Sequence, residues 1–153
     1  MQRQVQHFGL TVSNLDESLY FFRDLLGLEA TPIRQTSGVR PETILGLPGA
    51  SLRLAVVKVP DGNQIELIEY LAPKGQKVDL RTCNPGVSHL ALMVDDIQRI
   101  YEDLSAKGVT FVNPPYWGGQ SVAGWGWGVC FLRGPDGISI ELMQPPDAAS
   151  GER

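Results

Sequence analysis

Apolar positions along this chain follow two periods, and the period switches at regular intervals. Phe8, Leu10 and Val12 alternate with polar or small residues, the pattern of a strand with one buried face. Leu15, Leu19, Phe22 and Leu26 then recur at helical spacing, with Asn14 and Glu17 at capping-box spacing ahead of them. Gly27 suits the left-handed position that closes such a helix. The runs 51–59 and 64–71 return to a strand pattern. The same order is then spelled again. Leu90, Leu92 and Val94 alternate, Asp95 and Gln98 stand at capping-box spacing, and Ile97, Tyr101 and Leu104 mark a helix ending at Gly108. Strand-like runs follow at 126–134 and 138–144.

The repetition reaches single letters. Residues 60–67 read PDGNQIEL and residues 135–142 read PDGISIEL, with six of eight positions identical. In each copy the proline opens a turn and the glycine supplies positive φ before the last strand. Each half therefore reads β-α-β-β-β. The expected fold class is α+β: two tandem βαβββ repeats forming a cupped mixed sheet with helices on the outside. The halves are expected at 1–72 and 87–146, with a linker at 73–86 and a flexible tail at 147–153.

Strand alternation assigns the side chains to faces. Phe8, Leu10 and Val12, like Leu90, Leu92 and Val94, are expected under the helices, together with Ile65, Leu67, Ile138, Ile140 and Leu142. The opposite face then carries His7, Gly9 and Thr11 in the first half and His89, Ala91 and Met93 in the second. It also carries Gln64, Glu66 and Ile68, and Ser139, Glu141 and Met143. The chain's only two histidines thus fall at matching repeat positions, each accompanied by a glutamate inside an apolar strand. A carboxylate so placed is costly unless it is paired or bound to a cation. Taken singly, each of the four also suits a hydrogen-bonded core histidine or a strand-end acid. Taken together, His7, Glu66, His89 and Glu141 form a two-imidazole, two-carboxylate set suited to one divalent ion such as Mn, Co, Ni, Zn or Fe.

Composition narrows the partners. The 153 residues carry a net charge of −4, which disfavours nucleic acid or an anionic membrane as partner. No apolar run is long enough to span a bilayer, and the first dozen residues lack the apolar core of a signal peptide. Cys83 and Cys130 have no metal-type spacing, so a reduced thiol pair and a cytoplasmic location are expected.

The paired βαβββ units, with "HFGLTVSNLDESLYFFRDLLGL", "VSHLALMVDDI" and "RGPDGISIEL", resemble the vicinal oxygen chelate superfamily over about residues 5–145. That superfamily includes glyoxalase I, methylmalonyl-CoA epimerase, extradiol dioxygenases, fosfomycin-resistance enzymes and bleomycin-binding proteins. The resemblance carries its metal positions onto His7, Glu66, His89 and Glu141, and a complete His/Glu/His/Glu set looks most like the isomerase and lyase branch. It implies a metal-dependent isomerase, epimerase or lyase of the glyoxalase type, acting on a small molecule with adjacent oxygens. The proton beside a carbonyl is removed while the metal stabilises the enediolate. Glu141 is the first candidate base, Glu66 the second by symmetry, and Glu42 a third, which equally suits a solvated loop acid. An Fe(II)-dependent extradiol-type dioxygenase and a non-catalytic, antibiotic-binding protein are the alternatives. The resemblance also implies a homodimer.

Substrate selection is expected from the loops. Residues 114–128 place Tyr116, Trp117, Trp125 and Trp127 among glycines, as an aromatic flap, a core filler or a dimer contact. Alternation puts Trp125 and Trp127 on one face. Segment 33–51 forms another candidate wall, where Arg34, Arg40 and Arg53 suit a carboxylate or phosphate but equally suit solvent. Concentrated basic residues of the kind a coenzyme A or glutathione site calls for are not evident.

Overall fold

The computed structural model describes residues 4–121 and 123–146; the tail expected to fray, 147–153, lies outside them. The chain divides into two compact units, Met1–Val78 and Asp79–Arg153.

The first unit is built on a mixed sheet of β1 (Phe8–Val12), β2 (Glu29–Ala30), β3 (Arg34–Ser37), β4 (Ser51–Lys58) and β5 (Gln64–Ala72). Its order is β1-β5-β4-β2, with β3 also pairing β4. β1 runs parallel to β5, and the other pairs are antiparallel. Leu10, Val12, Val57, Ile65 and Leu67 are buried from this sheet against Leu15, Leu19, Phe21 and Phe22. Phe8 is the exception on its expected face, 37% exposed at the strand's start.

The helix after β1 differs in winding from the expected one. It is α-helical only over α1 (Leu15–Leu19) and continues as a π-helix from Tyr20 to Leu25. The Leu26 N–H reaches back five residues to the Phe21 carbonyl at 3.0 Å. The wider winding lets the consecutive Phe21 and Phe22 both turn inward, where their rings meet edge to face at 5.2 Å. Asn14 caps α1 through the Asp16 and Glu17 N–H groups, and Gly27 takes φ 71° after the last turn.

Segment 33–51 is ordered as β3 followed by a second helix, α2 (Val39–Leu45). Two signals for α2 stand in the sequence: Pro41 in its first turn, and Gly46, left-handed at φ 65°, beyond its end.

The second unit repeats the plan. Its sheet runs β6 (His89–Met93), β11 (Ser139–Gln144), β10 (Gly128–Arg133), β7 (Tyr116–Trp117), with β6 parallel to β11. A short hairpin, β8 (Gln120–Ser121) and β9 (Gly124–Trp125), stands beside it. Cys130, Leu132, Ile140 and Leu142 are buried with Ile97 and Leu104 of α3 (Ile97–Ala106). Asp96, one residue later than expected, caps α3 by accepting the Arg99 N–H at 3.0 Å. The shift has a mechanical cause. The Val94 N–H still bonds the Met143 carbonyl, so the sheet holds the chain for one residue beyond β6. Gln98, freed from the cap, bonds Glu102 one turn along.

Candidate functional site

The parallel pairing of first and last strands positions the chemistry in each unit. In the first, Gly9 stands opposite Glu66, so His7, two residues earlier, is one step diagonal from that carboxylate. In the second, Ala91 stands opposite Glu141, and His89 is again two residues earlier. The registers are identical. Because strand side chains alternate, each imidazole falls on the same face as its glutamate.

The side chains meet. His7 Nε2 lies 3.5 Å from Glu66 Oε2, and His89 Nε2 lies 3.1 Å from Glu141 Oε2. The histidine side chains are 43% and 49% exposed, and Glu66 and Glu141 28% and 13%. Both imidazoles are therefore open to a ligand while their carboxylates are partly covered. Among the described residues no group of three or more His, Cys, Asp and Glu gathers within one cluster, so each unit presents a pair.

The supports of the two histidines differ. Gln6 donates its amide to Gln64 Oε1 at 3.2 Å, which turns its own carbonyl toward His7 Nδ1, and those two atoms are hydrogen-bonded. His89 instead meets the Phe131 ring edge to face at 5.6 Å. Asn113 fixes the strand carrying Phe131, accepting the Phe131 N–H at 3.0 Å.

The other expected residues are more dispersed. Arg40 and Glu42 lie on α2, and among the described residues neither side chain bonds or pairs with His7 or Glu66. Arg53 is bound elsewhere: it holds Glu69 and Asp16, each at 2.9 Å, and these bonds, with Asp16 first, raise its pKa. It is a brace between strand and helix rather than a free cation. Trp117, in β7, lies across the Gly128 backbone, where a Cβ would stand 2.8 Å from the indole. Trp125, in β9, is 69% exposed. Trp127 follows Gly126, whose φ of 77° breaks the alternation that would have put it on the face of Trp125. Cys83 is exposed and Cys130 buried; both are free thiols.

Two residues of this face escaped the sequence reading, Gln6 and Arg133, while Gln64 was placed on it without its bond to Gln6. The signal for Arg133 lay two letters upstream of the repeated octapeptide, where Lys58 and Arg133 precede the two turns at the same offset.

The chain belongs to the Glyoxalase/Bleomycin resistance protein/Dioxygenase superfamily, whose family model matches residues 4–142. A 2-epi-5-epi-valiolone epimerase of Actinomyces is 29% identical over 97% of this chain and 83% of its own. A lactoylglutathione lyase of Haemophilus influenzae is 29% identical over 97% of both chains. The crystal structure of a glyoxalase family protein from Bacillus cereus superposes with a TM-score of 0.80 at 24% identity, covering 95% of this chain and 96% of the other. No helix among the described residues is long and apolar enough to cross a membrane.

Proposed function

We propose that the chain is a metal-dependent isomerase, epimerase or lyase that moves a proton on a carbon beside a carbonyl. The observation that carries this reading is the recurrence of one His/Glu pair, in one register, in both repeats. The names of the relatives agree with it: inverting a carbon centre beside a carbonyl is accomplished when a proton leaves and returns to the other face.

The donor set fits a divalent cation. Gln6 accepts from His7 Nδ1, so a neutral ring points the Nε2 lone pair at the Glu66 carboxylate across 3.5 Å. Lone pairs so opposed need a proton or a cation between them. His7, Glu66, His89 and Glu141 are the proposed ligands, and two imidazoles with two carboxylates suit Mn, Co, Ni, Zn or Fe. A bound ion supplies Lewis-acid stabilisation of the charge that develops on the substrate oxygen.

The protein's own groups do the rest. Glu141 accepts the proton from the carbon beside the carbonyl, and the C–H electron pair moves toward that oxygen. The same carboxylate, or Glu66, returns the proton to the neighbouring carbon or to the other face. Phe131 keeps the His89 ring in place during this exchange. Trp117, Trp125 and Trp127 form an aromatic border that excludes water, and Arg40 and Glu42 of α2 are further candidate substrate contacts.

Metal analysis of protein purified without chelators tests the reading. The expected result is about one divalent ion per chain, reduced in Glu141→Gln and His7→Ala, together with proton–deuteron exchange on 2-hydroxycarbonyl compounds in heavy water. Protein that neither carries nor takes up a divalent ion overturns it, and predominant Fe(II) with oxygen consumption favours the dioxygenase alternative.

A further inference from the structure

The two repeats spend the same rung of their sheets differently. In the first unit that rung is Lys58, opposite Gln64. Lys58 reaches away to Glu29 at 3.6 Å, and Gln64 is engaged by Gln6 in support of His7. In the second unit the rung reads Arg133, Ser139, His89 across three adjacent strands.

Arg133 shares its sheet face with His89 and Glu141. It alternates with Phe131, which touches His89, and not with the fully buried Leu132. Its guanidinium donates to the Ser139 hydroxyl, whose residue is only 2% exposed and sits two positions from Glu141. The backbone is equally fixed: the Arg133 N–H bonds the Thr110 carbonyl at 2.8 Å, and the Gly134 N–H bonds the Ile138 carbonyl at 2.8 Å. Gly134 packs closely beneath Ile140, where a Cβ would stand 2.7 Å from Cδ1. Among the described residues Arg133 has no carboxylate partner, unlike Arg23, Arg53 and Arg81. A partly buried guanidinium has five donors, and one neutral hydroxyl leaves most of its fork unused.

We propose that Arg133, oriented by Ser139, is the anion-recognition residue of this site and takes a carboxylate of the substrate. The inference rests on the proposed reaction face and adds the substrate class. Residues two apart on a strand are separated by about 7 Å, so the anion binds within a few bonds of the carbon whose proton Glu141 removes. A single arginine matches a single nearby charge. The substrate is thus a small carbonyl acid with a carboxylate beyond its two chelating oxygens, rather than a carrier thioester whose charges lie far from the reacting carbon.

Calorimetric titration with oxaloacetate and 2-oxoglutarate, against 2-oxobutanoate and 2-oxopentanoate of the same chain lengths, provides the test on intact protein with its metal content measured. Wild type is expected to bind a dicarboxylate more tightly than its monocarboxylate counterpart. Arg133→Met should weaken the dicarboxylate about tenfold or more and leave the monocarboxylate unchanged. Arg133→Lys should restore part of the loss, since it keeps the charge without the fork. Ser139→Ala, which leaves the arginine but frees it, supplies an independent variant should Arg133→Met fold poorly, and should show a smaller loss of the same selectivity. Equal binding of both probe types by wild type, binding of neither, or a dicarboxylate preference that survives in Arg133→Met and Arg133→Lys, overturns the assignment. The metal content separates the two claims: an Arg133-dependent preference in protein lacking metal would sink the proposed reaction and leave the anion site standing.

Discussion

Glu69 and Gln144 occupy the same place in the two repeats and do the same work. Glu69 accepts the N–H of Leu15, the first residue of α1, at 3.3 Å, and Gln144 accepts the N–H of Ile97, the first residue of α3, at 2.8 Å. Each lies three positions past its site glutamate, so the strand that presents Glu66 or Glu141 on one face ties down the helix with the next inward polar group. A buried carboxylate needs more than one donor, and Arg53 supplies it. Gln144 is neutral, and among the described residues it has no arginine counterpart.

That difference sets the first prediction. Glu69→Ala removes one of the two carboxylates that hold Arg53 and takes the acceptor from an N-terminal helix donor, and should lower stability by about 2 kcal/mol. Gln144→Ala removes one neutral acceptor and should cost about half as much. Thermal or urea unfolding of the two variants decides the order.

The helix cap offers a sharper contrast. Asp96→Ala should destabilise by about 1 kcal/mol, while Asp95→Ala should be nearly neutral. The reverse order in denaturant titrations would place the cap at Asp95, and equal losses would deny Asp96 the sole capping role.

Gly128→Ala drives a methyl group into the Trp117 indole, where the contact would be 2.8 Å. A loss of about 1–3 kcal/mol and a shift in tryptophan emission are expected. In a Trp117→Ala background the same change should cost little, and a double-mutant cycle reads the difference.

The thiols should separate cleanly under an aromatic disulfide reagent. Cys83 is exposed, whereas burial pushes the Cys130 thiol up to about 11. One thiol per chain should react at pH 8 in native protein and two after unfolding.

Acid should loosen the turn after residue 78. Asp79 accepts the Arg81 N–H at 3.0 Å and the Arg81 guanidinium at 2.7 Å, and the backbone bond first, then the side-chain bond, lowers its pKa below 3.8. A depressed carboxyl contributes stability above its unfolded pKa and loses it as pH falls through the folded value. The difference in melting temperature between wild type and Asp79→Ala should therefore be full near neutrality and shrink as pH falls through the lowered folded value of Asp79.

Much of the fold was legible because the repeat states it twice. A strand, cap, helix and closing glycine seen once are a propensity argument; seen again in the same order they are an architecture. That His7 shares a face with Glu66, and His89 with Glu141, followed from period-2 alternation; that they meet depends on the parallel pairing of first and last strands. What escaped reading was set by tertiary competition. Two adjacent aspartates both satisfy a capping pattern, and only the sheet bond at Val94 selects Asp96. Arg53 looked like a free cation because nothing local reveals that Glu69, on the inward face, needs a partner. The π-turn at Tyr20–Leu25 depends on core space for two aromatic rings, which spacing does not encode. Arg133 was passed over because the repeat was read from its turn forward and not backward.

The identical register has a consequence for how such a chain can change over time. Glu66 follows Gly9 by 57 positions and Glu141 follows Ala91 by 50, yet both pairs sit directly abreast. The spacing of each His/Glu pair is written in the ladder between two neighbouring strands, not in the length of chain that joins them. Insertions and deletions in the intervening segments can therefore accumulate without disturbing either His/Glu pair. The scaffold can hold each pair fixed while the segments around it drift.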